Sequence, residues 1–422
     1  MKLLLLLKQF FKEYQTPILS GVLIGTSFIP FPPWAALFGF VPLWLYLQKN
    51  FENSKLTSKK VFLAAWLTQY LLTLIGFNWI AHTIYEFGGL PWPVAIAGLL
   101  VHCAYANIYL PISALLWFHL NKKLHWKPKT SLLALGLVTI FCEYYLQFIF
   151  PWNFGYTWFW SGFPMYQTAE YIGFWGISQL VILANVGLAL AWNCKKKNER
   201  KFWLSTTIAG FLFLNGLGVI VERKLSKPDA LMRPQIVQAN IPNQQKIYAE
   251  KGWGFRAEIL NRYIRLTLEK SKEKNPPDFS IWPETAFPEY LNRERINNVR
   301  RLKAFVRSNN MYLITGSYAK HEKDQSSNSL FFFGPEGKET HPQYIKSILL
   351  AFGEYVPLRN VIPSIKKLFP MVADFKRGGG PTVVNYAGAK IGAQICYESL
   401  YPEFTRELSD KGAEVFVNVT ND

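Results

Sequence analysis

Charged residues are scarce in this sequence, and acidic ones are the scarcer kind. Only 18% of the 422 residues are charged, with 28 acidic residues against 46 basic ones. An ordinary soluble domain carries about 25% charged residues, so this composition excludes a chain that is soluble throughout. The shortage lies between Thr16 and Val221, where apolar runs dominate, whereas the sequence from Glu222 onward is mixed. We therefore predict a membrane domain over 1–221, a linker over 222–233 and a globular domain over 234–422.

Lysine and arginine are absent from every second loop between the apolar runs. The loops 31–34, 82–91 and 151–170 contain neither residue, whereas the intervening loops near 49–60, 122–129 and 195–201 are rich in lysine. Short basic loops of this kind stay on the cytoplasmic side of a bilayer. Membrane orientation therefore explains the net charge of +18, and we expect no nucleic-acid partner.

About seven membrane spans are predicted, since a helix needs roughly 20 apolar residues to cross a bilayer. Prolines at 30, 32 and 33 divide the run 14–48 into two short spans, and further spans are predicted at 61–82, 93–119, 131–150, 171–192 and 202–221. Lysines at 2, 8 and 12 place the N-terminus in the cytoplasm. An odd number of spans then places residues 234–422 on the opposite, periplasm-like side of the membrane.

Cysteine is rare as well, with four residues in the chain. Cys103 and Cys142 lie in predicted spans and Cys194 lies in a cytoplasmic loop, so Cys396 is alone on the oxidising side. This topology excludes a structural disulfide within the chain. A lone cysteine is more often a buried packing residue than a reactive one. Cys396 is therefore either incidental or a nucleophile.

One carboxylate, Glu143, lies inside the fifth predicted span. A carboxylate within a bilayer is energetically costly and often functional. Two interpretations stay open at this point. Either Glu143 has a function inside the membrane, or it lies near the end of the span and its side chain reaches water.

From Gln235 onward, short β-like runs alternate with amphipathic helical segments. Strands are predicted at IVQAN, DFSIW, MYLITGSYA and SLFFFG, as a hairpin pair at 383–386 and 390–395, and at 414–419. Helices are predicted at about 244–273, 291–309 and 402–411, with Pro402 in the first turn of the last helix and Gly412 after its end. This alternation predicts a layered α/β domain.

Three polar residues of this domain, Glu284, Lys346 and Cys396, follow or end β-like runs. Cys396 stands where the strand KIGAQI turns into a helix. A thiol near a helix N-terminus and an ammonium group has a lowered pKa, so we expect this effect at Cys396 with Lys346 nearby. A carboxylate that removes the thiol proton and an ammonium that holds an oxyanion can together support acyl transfer. Taken singly, Lys346 would be a solvated strand residue and Glu284 a turn residue.

The segments around these residues resemble those of the apolipoprotein N-acyltransferase family. The similar segments of the C-terminal half are IWPETAFP from Ile281, Lys346 with FGEYVP from Phe352, and ICYE from Ile395. Those of the N-terminal half are GFNW from Gly76, PWNFGY from Pro151 and GFWGIS from Gly173. The resemblance covers nearly the whole chain. It implies a polytopic α-helical membrane domain followed by an α/β nitrilase-like sandwich of αββα layers.

The resemblance also implies a two-step reaction that uses a membrane phospholipid as the acyl donor. Cys396 would take an acyl chain from a phospholipid as a thioester and pass it to the α-amino group of the S-diacylglyceryl cysteine of an apolipoprotein. Glu284 would be the general base and Lys346 the oxyanion stabiliser. Three further residues would support the pocket or bind substrate: Glu354, Tyr397 and Glu398. No metal and no diffusible cofactor is implied.

The chain departs from the family at two places. Ile247 stands where the family usually has a tryptophan, and the sequence stops at Asp422, before further sandwich residues and an eighth span that the family has. We therefore expect a sandwich that is C-terminally incomplete relative to the family. The chain would be a fragment, a shortened homologue, or half of a split enzyme that needs a complementing C-terminal segment. Its activity alone stays open.

Two other functions stay open from the sequence. A membrane-anchored amidase or nitrilase-like hydrolase would use the same three residues with water as the second nucleophile, and an inactive truncated homologue would keep only a binding role. The apolar segment 361–372 favours transfer if it lies on the membrane surface and guides lipid chains. A buried hydrophobic flap is the other interpretation of this segment.

Overall fold

A computed structural model describes residues 2–86, 89–146, 152–224, 231–271, 276–322, 325–359, 361–368 and 372–421. The chain divides into two compact units, residues 1–227 and 228–422. This division falls within the predicted linker 222–233, of which residues 225–230 lie outside the described part of the chain. Each unit has its own apolar core.

The described part of the first unit is helical. Its helices are α1 (Lys2–Gly25), α2 (Val41–Glu52), α3 (Ser58–Gly76), α4 (Trp79–Glu86), α5 (Trp92–Tyr105), α6 (Tyr109–Leu124), α7 (Pro128–Tyr145), α8 (Gly155–Phe159), α9 (Ala169–Asn193) and α10 (Lys197–Arg223). Local signals set several of these starts. The Thr57 side chain accepts a hydrogen bond from Lys60 N before α3, and Pro128 begins α7.

Three helical segments of the described residues are long and apolar enough to cross a membrane. They are Trp92–Leu124, Pro164–Asn193 and Lys197–Arg223. A fourth results if Ser58–Gly76 and Trp79–Glu86, bent by 59° at their junction, form one broken span. These segments coincide with predicted spans at 61–82, 93–119, 171–192 and 202–221. The total of seven spans, part of which falls on residues 147–150 outside the described residues, stays a prediction.

Buried polar side chains join the helices of this unit. Asn185 of α9 donates to Ala36 O at 2.6 Å and accepts from Phe40 N at 2.9 Å. Glu143 of α7 is 1% exposed and accepts from Ser178 Oγ at 2.7 Å and from Phe154 N at 3.1 Å. The interpretation in which Glu143 reaches water is therefore wrong, because its carboxylate is satisfied inside the helix bundle.

The second unit contains two β-sheets. The first has the order β1 (Pro234–Ile236), β2 (Phe279–Tyr290), β3 (Leu313–Lys320), β4 (Ser326–Phe333) and β5 (Tyr344–Ile345), with β1, β2 and β3 parallel and the last two pairings antiparallel. The second joins β6 (Thr382–Tyr386) antiparallel to β7 (Ala389–Ile395), which pairs in parallel with β8 (Val415–Val419). Its helices are α11 (Asn243–Glu250), α12 (Arg256–Ser271), α13 (Asn297–Ser308) and α14 (Pro402–Asp410).

Alternating residues of β4 bury both faces of the first sheet. Phe331 and Phe333 lie in a core with apolar residues of α12 and α13, whereas Leu330 and Phe332 lie in a core with residues of the second sheet. On the other face of the second sheet, Gln394 Nε2 of β7 donates a hydrogen bond to Thr405 Oγ1 of α14 at 2.9 Å. The layers are therefore helix, sheet, sheet and helix, which confirms the predicted α/β nitrilase-like sandwich.

Several predicted elements of this unit have different bounds in the structure, among them the following. The helix predicted at 244–273 is two helices, because residues 251–255 include Gly252 and Gly254 with positive φ angles of 79° and 102°. The helix predicted at 291–309 begins at Asn297, since Asn292 instead pairs with the backbone of Lys320. The predicted IVQAN strand begins earlier, as β1 (Pro234–Ile236), and Val237 N continues the pairing with a hydrogen bond to Ile281 O at 2.9 Å.

Candidate active site

Glu284, Lys346 and Cys396 meet at the edges of the two sheets. Glu284 lies on β2, in the stretch between Trp282 and Phe287 where the pairing register with β3 shifts. Lys346 follows β5 directly, and Cys396 follows β7 directly with a φ angle of +52°. A positive φ is uncommon for a residue other than glycine and is often found at functional sites. The structure therefore brings together the three residues that the sequence selected.

Lys346 is the cation at the centre of the site and is only 2% exposed. Its Nζ lies 3.1 Å from Glu284 Oε1 and 3.0 Å from Glu354 Oε1. Burial alone would lower the pKa of Lys346, but the charges of Glu284 and Glu354 outweigh it, so the pKa is raised. The side chain is therefore a permanent ammonium group at neutral pH.

Asn328 of β4 is a site residue that the sequence did not single out. Its Nδ2 donates to Glu284 Oε1 at 2.5 Å and to Glu354 Oε1 at 2.9 Å, and thus bridges the same two carboxylates as Lys346. A polar amide within a strand whose neighbours are buried is the only signal of this role in the sequence. Asn328 fixes the Glu284 carboxylate from a second direction.

Glu398 holds the turn that carries Cys396. Its carboxylate accepts hydrogen bonds from Ser347 N at 2.6 Å, Ile348 N at 3.1 Å and Ile395 N at 2.8 Å. It also accepts from Tyr344 Oη at 2.7 Å. Glu398 therefore ties the segment after β5, which includes Lys346, to the end of β7, which precedes Cys396.

Tyr397 is buried beside Cys396. Tyr401 Oη donates to Tyr397 Oη at 2.9 Å, and the two rings pack edge to face with centroids 5.2 Å apart. Glu354, the third predicted supporting residue, is buried and also accepts from Leu350 N at 2.9 Å. Tyr397 directly follows Cys396, and Glu354 contacts Lys346. Direct substrate binding by either one stays a prediction.

The predicted lowering of the Cys396 pKa is wrong for this arrangement. Burial raises the pKa of the thiol to about 11, with a further increase from the Glu284 charge. The charge of Lys346 and a hydrogen bond with the Thr420 side chain act in the opposite direction but are smaller. Lys346 also contacts two carboxylates, and its charge does not offset the effects of burial and of Glu284 on the thiol. Cys396 is therefore a thiol at neutral pH and needs a base.

The site contains charges of both signs and a nucleophile but no metal-binding arrangement. Across the described ranges, no group of three or more His, Cys, Asp or Glu side chains is placed to hold a metal ion. The chemistry that the residues themselves support is attack by Cys396 on a carbonyl carbon. Glu284 would move the proton, and the Lys346 ammonium would attract the oxyanion.

Both units of the chain match models of known protein families. Residues 20–187 match the family model of the apolipoprotein N-acyltransferase N-terminal domain, and residues 236–422 match that of carbon-nitrogen hydrolases. Among solved structures, a carbon-nitrogen hydrolase from Helicobacter pylori G27 is 18% identical, over 45% of this chain and 59% of that chain, at a TM-score of 0.31. Such a score is too low to add to the assignment.

Whole-length relatives decide the family. The chain is 41% identical to the apolipoprotein N-acyltransferase of Bdellovibrio bacteriovorus, over 98% of this chain and 78% of that protein. It is 28% identical to the apolipoprotein N-acyltransferase of Geobacter metallireducens, over 97% of this chain and 78% of that protein. These matches extend across both units, and the buried carboxylate, ammonium and thiol lie in the second. The chain belongs to the apolipoprotein N-acyltransferase family.

Proposed function

We propose that this protein transfers a fatty acyl chain from a phospholipid to the α-amino group of the S-diacylglyceryl cysteine of apolipoproteins, through a thioester on Cys396. The observation that carries the proposal is the convergence of Glu284 and Lys346 at the turn that carries Cys396, in a chain related to N-acyltransferases over both units. The substrate classes are inferred from membership of the family. The reaction type is inferred from the side chains that meet at the site.

The first half-reaction breaks an ester and forms a thioester. Glu284 removes the proton from Cys396 Sγ, and the thiolate attacks the ester carbonyl carbon of the phospholipid. Lys346, held in place by Glu354, attracts the negative charge that develops on the carbonyl oxygen. The bond to the glycerol oxygen then breaks, and Glu284 returns the proton to that oxygen, which releases a lysophospholipid.

The second half-reaction breaks the thioester and forms an amide. The neutral α-amino group of the acceptor attacks the thioester carbonyl carbon, and Glu284 accepts a proton from the amine. Sulfur leaves as the tetrahedral intermediate collapses, and the proton passes from Glu284 to Cys396 Sγ. Since a carboxylate can give and take the same proton, one base serves both steps.

The apolar helices and the relatives support a location in a membrane. We assign it to the bacterial inner membrane with the second unit on the periplasmic side, because basic residues are confined to alternate loops. Of the segment 361–372, Val361 and Ile362 are 76% and 48% exposed, so the buried-flap interpretation is wrong for these residues. Residues 369–371 lie outside the described residues. An exposed apolar loop supports contact with lipid.

The proposal is tested by isolating the intermediate. The full chain is incubated with phospholipid vesicles, and its intact mass should increase by one fatty acyl group that hydroxylamine removes. Cys396→Ala should not form this adduct. Addition of a synthetic diacylglyceryl-cysteine peptide should convert the adduct into an N-acylated peptide. Release of free fatty acid without peptide acylation would establish a hydrolase instead, and absence of any adduct on the folded chain would refute the thioester.

A further inference from the structure

A second buried lysine, Lys246, lies in the catalytic unit and has no part in the chemistry described above. It belongs to α11 and is 5% exposed. Its Nζ donates a hydrogen bond to Asn421 Oδ1. Burying a lysine is costly unless the ammonium group is compensated, so a lysine in this position requires an explanation.

Asn421 belongs to the segment that flanks Cys396. The register of β7 and β8 places Ile395 opposite Val419, so that residues 420 and 421 continue beside the turn that carries the nucleophile. The Thr420 side chain hydrogen bonds with the Cys396 thiol. Asn418 Nδ2 lies 3.4 Å from Cys396 O and donates to Ser399 Oγ at 3.1 Å. The segment 418–421 therefore contacts both the thiol and the backbone carbonyl of Cys396.

The charges around Lys246 are carboxylates. Glu284 on β2 and Glu250 on α11 both act on it, but burial outweighs them and lowers its pKa to about 8. Lys346 is different, because two carboxylates contact it directly. Among the described residues, Lys246 instead donates its hydrogen bond to the side-chain amide oxygen of Asn421. Its ammonium group therefore orients Asn421 and does not form an ion pair with a carboxylate in direct contact.

We propose that Lys246 is a positioning residue, which anchors Asn421 and thereby keeps the Thr420 hydroxyl on the thiol of Cys396. β8 ends at Val419, and the hydrogen bond from Lys246 to Asn421 holds the segment just beyond the strand. A hydroxyl held as a donor stabilises the thiolate as it forms. The proposal rests on the proposed function only in taking Cys396 as the nucleophile.

The experiment measures alkylation of Cys396 in the full chain with iodoacetamide, as a function of pH, by peptide mass spectrometry. Lys246→Met and Asn421→Ala should each lower the alkylation rate at about pH 8 by roughly tenfold, because one pKa unit changes the thiolate fraction tenfold. The double variant should lose no more than either single variant, since both remove one contact. Lys246→Arg should keep most of the wild-type rate.

Lys251→Met is the matched control, because Lys251 follows the same helix and is exposed. Wild-type alkylation in Lys246→Met, equal losses in Lys251→Met, or losses that multiply in the double variant would overturn the proposal. If Lys246→Met does not fold, Asn421→Ala and Lys246→Arg decide the question by the same rates. The assay contains neither phospholipid nor apolipoprotein, so failure of acyl transfer would leave its result unaffected.

Discussion

At the scale of single residues, the candidate site holds Cys396 as a thiol beside the carboxylate that is proposed to deprotonate it. Burial and the neighbouring Glu284 keep Cys396 protonated, with a pKa of about 11. Lys346 and Asn328 both donate to Glu284 Oε1, so the carboxylate is held as an acceptor beside the thiol. In the proposed mechanism Glu284 takes the proton of this thiol, and the small thiolate fraction at neutral pH limits reaction with other electrophiles.

Glu284→Gln should therefore have opposite effects on two reactions of Cys396. Removal of the negative charge lowers the pKa of the thiol, so alkylation by iodoacetamide at about pH 9 should become faster. Formation of the acyl adduct from phospholipid should stop, because glutamine cannot accept the proton. Both rates are measured on the same preparation by mass spectrometry.

Glu294→Gln serves as the control for that experiment, since the Glu294 side chain is 82% exposed and pairs with Lys303. It should change neither rate. Acyl adduct formation by Glu284→Gln at the wild-type rate would exclude Glu284 as the base. Slower alkylation would show that the carboxylate stabilises the thiolate through another contact.

At the scale of elements, the close approach of β2 and β3 places Glu284. The register of the pair shifts after Trp282, and the backbone of β2 there lies against Gly316 of β3. A Cβ atom at Gly316 would lie 2.6 Å from Glu284 Cα and 2.6 Å from Pro283 O. Such distances are well inside van der Waals contact, so only glycine allows the two strands to hold this geometry.

Gly316→Ala should consequently impair catalysis without touching a catalytic side chain. The displaced β2 backbone would move the Glu284 carboxylate away from Lys346, and a shift of about 1 Å is enough to cost roughly a hundredfold in rate. The initial rate of acyl-adduct formation measures this effect. Thermal unfolding of the same variant should show a loss of about 1–3 kcal/mol from overpacking.

Gly379→Ala is the comparison for this variant, because a Cβ atom there would meet no atom within 4 Å and no positive φ is required. Its rate and stability should match those of the wild type. A Gly316→Ala variant with a normal rate of acyl-adduct formation would mean that the backbone of β2 near Pro283 can shift without moving the Glu284 carboxylate.

At the scale of the whole molecule, the chain joins a helical unit that matches the family's N-terminal domain to a unit that matches carbon-nitrogen hydrolases. Three described apolar helical segments are sufficient to span a membrane, and the bent pair α3 and α4 adds a fourth if it forms one span. Basic loops alternate with loops free of lysine and arginine. The orientation proposed from these loops gives the catalytic unit access to substrates outside the cytoplasm.

Accessibility to a membrane-impermeant maleimide tests that orientation. A cysteine introduced as Ser409→Cys, at an exposed position of α14, should be labelled when the reagent is added to the periplasmic side of spheroplasts. Cys194, which follows α9 in a lysine-rich loop, should be labelled only in inverted membranes. Labelling of the two cysteines in the reverse order would place the catalytic unit in the cytoplasm and refute the proposed topology.

Sequence patterns were sufficient to predict the layers of the fold and to select three residues that the structure brings together. Hydrophobic runs, strand–helix alternation and the motifs at Glu284, Lys346 and Cys396 are local, so they can be recognised without coordinates. The hairpin of β6 and β7 and the helix α14, with Pro402 in its first turn and Gly412 after its end, follow the same local rules and are confirmed.

Only the tertiary structure decided what surrounds the reacting residues. Asn328 bridges Glu284 and Glu354 from another strand, and Lys246 contacts Asn421, 175 residues away in the chain. The Cys396 pKa, predicted to be lowered, is raised because burial and two carboxylates act on it together. Local patterns determined the layers of this protein and selected the three residues of its candidate site, because hydrophobic periodicity and motif spacing are written along the chain. The charge balance of its site was decided by the fold, since electrostatic interactions depend on distances and burial between residues far apart in sequence.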